Sequence, residues 1–379
     1  MSARKIMIVG LGDLGATLLD QLLCIPETLE VVVATRGVKK AAPRCNLAQL
    51  SALAQGSAST VRLIPLDLDE ESATAEIIRR ENPAILISTA TMSTWWLPTL
   101  LPQEDAQAVL KAGFGVWLPV HLAPTLRLMR AVRAARFTGF VLTAPYPDVV
   151  NAVLGKAGLA PTVGVGNVAE MVPKIVKRAA EALRRPATQV HVRFVAHHAL
   201  GKYIFSESYP RPGEAVPPFL LRVECDGQDV SKAIDLHALV YAPEPISEGR
   251  LTHLLTASSM LPLVRALLQN APVRLHAPAP GGLLGGYPIQ ASSAGVELAL
   301  HDIPLADAVS VNERSLIFDG IAGIDADGTV VLAEENVRQL KSVLGECPER
   351  ITLADVEAQA ADLVARYQMY AQKRGSRPA

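Results

Sequence analysis

Lys5-Ile6-Met7-Ile8-Val9-Gly10-Leu11-Gly12-Asp13-Leu14-Gly15 is the stretch that decides the fold. An apolar run of strand length breaks into Gly-x-Gly-x-x-Gly and resumes as Ala16-Thr17-Leu18-Leu19-Asp20-Gln21-Leu22-Leu23, so the order is strand, tight turn, helix. Gly10 lets the chain leave the strand in a conformation closed to residues with a Cβ. Gly12 lets the backbone approach a pyrophosphate, and Gly15 lets the helix pack closely on the strand. The free N–H groups and positive dipole end of the helix, with Asp13 and Leu14 in its first turn, then face the phosphates. The expectation is a dinucleotide site and, with it, hydride transfer; the alternative is a Gly-rich βα turn that holds no ligand.

The next strand bears on which dinucleotide. Leu29-Glu30-Val31-Val32-Val33-Ala34 is apolar and β-branched and ends in Thr35-Arg36-Gly37, with Lys39 and Lys40 beyond. An NAD site would place Asp or Glu here, on the ribose 2′-OH. A hydroxyl and a guanidinium instead suit a 2′-phosphate, which Arg grips bidentately. Thr35 and Arg36 therefore point to NADP(H), the alternative being a solvated loop of positive charge.

The chain has 379 residues, 50% of them hydrophobic and 19% charged, with a net charge of −1. That length suits two domains, and the balance gives no electrostatic case for nucleic acid or an anionic membrane surface. No apolar run approaches the ~20 residues that span a bilayer. The immediate entry into the first strand leaves no room for a signal peptide. Cys24, Cys45, Cys225 and Cys347 are scattered without metal or redox spacing, so no metal site is expected. Together these features indicate a soluble protein of the reducing cytoplasm.

Residues 1–145 alternate strands and helices, the pattern of a doubly wound sheet. The predicted elements are a helix over 45–55, a strand over 61–67, a helix over 70–81, and a strand over 84–90 almost without polar alternation. A helix over 103–112, a short strand over 115–119, a helix over 126–135 and a strand over 140–143 follow. Asp67 ends the third strand, as a cofactor contact or as an N-cap. The loop from Ser88 to Ser93, carrying Thr89 and Ala90, ends the fourth strand on the nicotinamide side. Trp95 and Trp96 beyond it wall that pocket or pack under a loop.

The pattern changes after Pro145. Val172 to Leu183 is amphipathic and basic, and strands over 189–196, 219–225 and 273–276 alternate with period two. This predicts an α+β domain over 146–345 with a mixed or antiparallel sheet, one of whose faces another subunit covers in a homodimer or homotetramer. Residues 346–379 form an amphipathic helix packing back on the first domain, with a frayed polar tail.

Reduction of C=O or C=N needs a proton donor, which His, Lys or Tyr can supply. His197-His198 follows a predicted strand, with Lys202 and Tyr203 close behind; this is either the active site or a polar strand end. Tyr146, Asp148 and Asn151 cluster at the domain junction, where substrate and nicotinamide meet, or else Asp148 caps a helix. The candidate catalytic residues are thus His198, Lys202, Tyr203 and Asp148. Gly281-Gly282-Leu283-Leu284-Gly285-Gly286-Tyr287 folds over a ligand or joins two strands, and His121 is a further cleft candidate. Glu170 and Lys174, one helical turn apart, read as a surface ion pair.

Gly10, Gly12 and Gly15, Thr35-Arg36, Leu66-Asp67-Leu68-Asp69 and Pro83-Ala84-Ile85-Leu86-Ile87-Ser88 together resemble the NADP-binding domain of saccharopine dehydrogenase-like proteins. A smaller resemblance, to dihydrodipicolinate reductase, rests on His197-His198 and Lys202. Here Lys202 stands one residue further on than in that family, and the small-residue anion loop does not follow. Both resemblances imply NAD(P)H-dependent chemistry at a carbon–nitrogen or carbonyl centre, with a mixed sheet as second domain. The sequence thus reads as an NADPH-dependent oxidoreductase for a small, carboxylate-bearing substrate in the interdomain cleft. A non-redox enzyme using held NAD(P) transiently and an NADP(H)-sensing binding protein are the alternatives.

Overall fold

A computed structural model describes residues 4–247 and 249–374. The frayed tail expected at the C-terminus lies mostly outside them.

The apolar run at the start forms β1 (Arg4–Val9), and the glycine turn leads directly into α1 (Asp13–Leu22). There follow β2 (Leu29–Thr35), α2 (Val38–Ala54), β3 (Thr60–Pro65), α3 (Glu71–Glu81) and β4 (Ile85–Ser88). Next come α4 (Gln103–Leu110), α5 (Leu118–Ala135), β5 (Phe140–Thr143), α6 (Pro147–Lys156) and β6 (Val163–Gly164). The six strands form one parallel sheet in the order β3-β2-β1-β4-β5-β6. Strand order reverses between β1 and β4, and a crevice opens beyond their carboxyl ends, the place where such sheets bind ligands. Every residue of β4 is buried, as a parallel strand covered on both faces requires.

The second sheet is built after α7 (Val168–Leu183), from β7 (Val190–Ala196), β8 (Phe219–Cys225) and β9 (Gln228–Asp229), with α8 (Gly201–Ile204) and α9 (Leu236–Tyr241) near them. After α10 (His253–Leu267), β10 (Val273–Pro278), β11 (Gly286–Ser292) and β12 (Gly295–Leu298) complete it. It is antiparallel, in the order β10-β11-β7-β8-β9, with β12 pairing β11. At the C-terminal end of β7 the sheet is not bare on either side. Phe194 packs into a cluster with α7 residues Met171 and Ile175. Its neighbour Val195 packs into another with Ala308 and Val311 of α11 (Leu305–Ser315). Both faces are therefore covered at this end of β7, while His191 at its start is exposed.

A third, small antiparallel sheet joins β13 (Ile321–Ile324), β14 (Val330–Leu332) and β15 (Arg350–Ile351). With α12 (Glu334–Leu344) and α13 (Val356–Lys373) it shares one core with α5, including Leu126, Leu340 and Leu363. The Glu357 carboxylate of α13 receives Arg127 and Arg130 from α5, and Trp117 meets the Tyr367 ring edge-on at 5.6 Å.

Three local expectations fail. The helix expected over 45–55 begins seven residues earlier, at Val38. Residues 115–119 are not a strand: Gly115–Trp117 is a 3₁₀ turn that runs into α5, which begins eight residues before the expected start. Pro119 sits in the first helical turn, where its missing N–H is harmless. The Glu170–Lys174 surface pair does not exist. Lys174 is buried and donates to the carbonyls of Ile204, Val240 (2.7 Å) and Ala242 (2.7 Å), and Glu170 turns to the cleft. Among the described residues no helix is long and apolar enough to cross a membrane.

Candidate active site

The glycine turn has the geometry its sequence demands. Gly10 has φ +95°, and a Cβ on Gly15 would stand 2.5 Å from the Gly10 carbonyl oxygen. Leaving both as glycine lets α1 start directly over β1. A Cβ on Gly12 would meet nothing, so this backbone faces open space. The Thr89 hydroxyl donates to the Gly10 carbonyl at 3.0 Å, which ties the end of β4 to the turn.

The turn forms one end of a cleft of about 1140 Å³. Gly10, Gly12, Asp13, Leu14, Thr35, Arg36, Asp67, Thr89 and Ala90 all line it. Gly15 lies beneath the turn instead. Arg36 is exposed, and no carboxylate among the described residues pairs with it. Asp67 does not cap α3, whose N-cap position is Glu70; its Oδ1 accepts the Asp69 N–H at 3.1 Å. Lys39 and Lys40 stay out of the cleft, Trp95 lines it, and Trp96 does not.

The second domain and the C-terminal segment form the other end. His198, Lys202 and Tyr203, which follow β7, line it together with His121, Tyr146 and Glu170. So does Asp319, which sequence reasoning did not single out. Asp319 ends a 3₁₀ turn (Leu316–Asp319) immediately before β13, and its Oδ2 lies 3.1 Å from His198 Nδ1. The Tyr146 hydroxyl donates to the same oxygen at 2.6 Å. The His198 ring is seated between Phe114 (4.8 Å) and Tyr146 (5.3 Å) and remains 28% exposed toward the cleft.

These contacts sort the titrating groups. Burial alone would lower His198, but Asp319, aided by Asp148 and Glu170, outweighs it and lifts its pKa to about 9. Burial would raise Asp319, but His198, His197 and the Tyr146 hydroxyl hold it below the ordinary carboxylate value. Tyr146 is driven well up by burial and by Asp319, so it stays a donor. His121, by contrast, falls to about 3 through burial and the charge of His198. Its Nδ1 lies 2.9 Å from the Thr91 hydroxyl. One cleft thus holds a charged and a neutral imidazole, the separation that acid–base chemistry uses.

Asp148 lies behind this wall, fully buried. Its Oδ1 accepts the His198 backbone N–H at 3.0 Å and its Oδ2 accepts the Asn167 side-chain amide. It fixes where the His198 backbone sits and does not reach the cleft. His197 is buried too; its Nδ1 accepts the Ala199 N–H at 3.2 Å, and burial lowers its pKa. Asn151 is buried, accepting from Thr143 at 2.7 Å. The glycine loop at 281–286 joins two strands: Gly282 packs on Gly155 of α6, and Tyr287 is buried with its hydroxyl on the Leu284 carbonyl. Neither lines the cleft.

No family model matches the chain, and no curated protein matches its sequence. Solved structures do resemble it. The minor L-lactate dehydrogenase of Enterococcus mundtii has a TM-score of 0.52 at 16% identity, over 83% of this chain and 96% of that one. The lactate dehydrogenase of Eimeria maxima has 0.57 at 14%, over 84% and 92%. The malate dehydrogenase of Cryptosporidium parvum has 0.54 at 14%, over 84% and 97%. The likeness is one of fold. It joins a six-stranded parallel sheet to a second domain with an antiparallel sheet.

Proposed function

We propose that this chain is an NADP(H)-dependent oxidoreductase that reduces a carbonyl or imine of a small carboxylate-bearing metabolite. The observation that carries this reading is that the glycine turn and an aspartate-held histidine open into one cleft.

The residues present fit a dinucleotide. The diphosphate would take the open space over Gly12 and the N–H groups that begin α1, beside Asp13 and Leu14. Thr35 and the unpaired Arg36 would take the ribose 2′-phosphate, with no acid at the end of β2 to repel it. Asp67, Thr89 and Ala90 line the path between the two ends. A nicotinamide held there would supply hydride for the substrate carbon.

The substrate oxygen or nitrogen that gains the electron pair needs a proton. His198 is protonated at neutral pH, and with Nδ1–H directed at Asp319, Nε2–H is its remaining donor. Giving up that proton leaves a neutral imidazole whose orientation Asp319 keeps, and water restores the proton. The balance is substrate plus NADPH plus H⁺ giving reduced substrate plus NADP⁺. Lys202 takes the substrate carboxylate, Tyr203 lines the same wall, and Asp148 acts on His198 as a positioning residue. One neighbour in fold was crystallised with NADH and oxamate, a dinucleotide and a small carboxylate, which agrees with this use of the cleft.

Titration of the protein with NADPH and NADH, followed by nicotinamide fluorescence, tests the cofactor reading. Saturable binding, tighter for NADPH, is the expected result; no saturable binding of either overturns it.

A further inference from the structure

α1 and α10 pack side by side and run in the same direction. Leu18 and Leu22 of the first share a core with Ala257 and Leu263 of the second. Gln21 Nε2 donates to the Ser258 hydroxyl at 3.1 Å, and beyond α1 Glu27 Oε1 accepts Arg265 Nε at 2.9 Å. Contacts that advance along both helices together leave their two N-terminal ends together. Both ends line the cleft, Gly12 and Asp13 for α1, Thr252 and His253 for α10. Each end carries about half a positive charge, and like ends side by side repel. α10 has no acid in its first turn and no side-chain cap. α1 has one acid there, the exposed Asp13, which makes no ion pair among the described residues.

His253 stands where the two ends meet. It is 7% exposed and lines the cleft, and neither ring nitrogen has a hydrogen-bond partner among the described residues. Buried polar atoms without a partner are rare and costly. Of the charged groups on the elements around it, Asp13 is the one that acts on it. Glu170 of α7 is bonded instead by Thr256, one turn along α10, and Arg250 before the helix is exposed. Burial lowers the His253 pKa against the pull of Asp13, so at neutral pH the ring is uncharged. The other cations of the cleft are placed elsewhere. Arg127 is held by Glu357 and Asp69, and His198 by Asp319. Arg36 follows β2, and Lys202 stands with Tyr203 on α8. A diphosphate at the glycine turn would therefore meet an unpaired aspartate, with His253 the base at hand to offset it.

We propose that His253, brought by the second domain, is the counter-cation of the dinucleotide's diphosphate, donating a hydrogen bond to it across the cleft from the glycine turn. In that contact the imidazole is charged, so binding takes up one proton from solvent and shields the phosphates from Asp13. The end of α10 adds its dipole to that of α1 on the same anion. This rests on the cofactor reading above and adds to it a contact that couples cofactor binding to the placement of the second domain.

Calorimetric titration of the full chain with NADPH, NADH and inorganic pyrophosphate tests this. His253→Gln weakens all three by about 10–100-fold, the weight of one charge-assisted hydrogen bond. The NADH diphosphate exchanges no proton near neutrality, so runs at pH 7 in two buffers of different ionisation heat count the protein's own protons. The unaltered protein takes up about one on binding NADH, and His253→Gln takes up none. Asp13→Asn changes an exposed side chain and tightens NADH. It does so by a factor about threefold larger in His253→Gln than in the unaltered protein, because no imidazole then stands between the charges. Unchanged affinities in His253→Gln, proton uptake that survives it, or two substitutions whose effects simply multiply overturns the proposal. Failure of the cofactor reading is seen separately, as no saturable binding of NADPH or NADH. Pyrophosphate then reads the site alone, and its equal binding to the unaltered protein and His253→Gln, or its failure to bind, overturns the proposal.

Discussion

Asp319 Oδ2 lies 3.1 Å from His198 Nδ1, although 121 residues separate the two in sequence. The C-terminal segment thus completes a site whose other parts come from the two larger sheets. Removing the charge while keeping the shape, in Asp319→Asn, leaves the imidazole without the carboxylate that charges it and fixes its tautomer. The reductive kcat is expected to fall by about 10²–10⁴-fold, the contribution of a positioned acid. Steady-state assays with NADPH, beside an unchanged Kd for NADPH, check this.

The same pair sets a pH dependence. His198 in the folded protein titrates at about 9, above the ordinary histidine value of about 6.5. The acid form is needed for reduction, so the reductive rate holds through neutrality and falls as pH rises through about 9. The sign for stability is the same: the pair's contribution is complete below about 6.5 and is lost as pH passes through the folded value. In Asp319→Asn both transitions move to lower pH. A pH–rate profile and pH-dependent unfolding of the two proteins check the shift.

Arg36 carries the choice between cofactors. Arg36→Ala weakens NADPH by about 10–100-fold, the value of charge-assisted bonds to a phosphate, and leaves NADH within about twofold. Parallel fluorescence titrations with both cofactors measure the ratio. An equal loss for both would remove the 2′-phosphate from the account.

Lys174 ties two backbone segments, the end of α8 and the end of α9, to α7 through the carbonyls of Ile204, Val240 and Ala242. Lys174→Met fills the space and leaves those acceptors without a donor. The expected loss is about 1–3 kcal/mol of stability, read from denaturant unfolding at constant m-value. Because Ile204 ends the helix that carries Lys202 and Tyr203, a weaker response to substrate carboxylates accompanies it.

Much of this architecture is legible in the chain because its signals are local. Strand, glycine turn and helix over residues 5–23 fix the crevice, and the unbroken apolar run at 85–87 marks a strand buried on both faces. His198 is visible as a polar pair at a strand end. Asp319 is not, because Leu316-Ile317-Phe318-Asp319 reads like any helical turn and its partner is remote. Glu170 and Lys174 show the opposite error. Their spacing puts them on one helix face, but periodicity says nothing of what covers that face, and here one side chain enters the cleft while the other enters the interior. The run 115–119, which reads as a short strand, misleads for a physical reason as well: five apolar residues fit a buried strand or a buried helix start equally.

Hydride transfer with His198 as proton donor is tested most directly by single-turnover oxidation of bound NADPH on mixing with a pool of 2-oxo acids and amines, in the unaltered protein and in His198→Gln. Reduced-nicotinamide absorbance is expected to be lost in the unaltered protein. In the variant the loss is slower by about 10²–10⁴-fold, with NADPH binding retained. Equal rates in the two proteins, or NADPH bound and never oxidised, would contradict it.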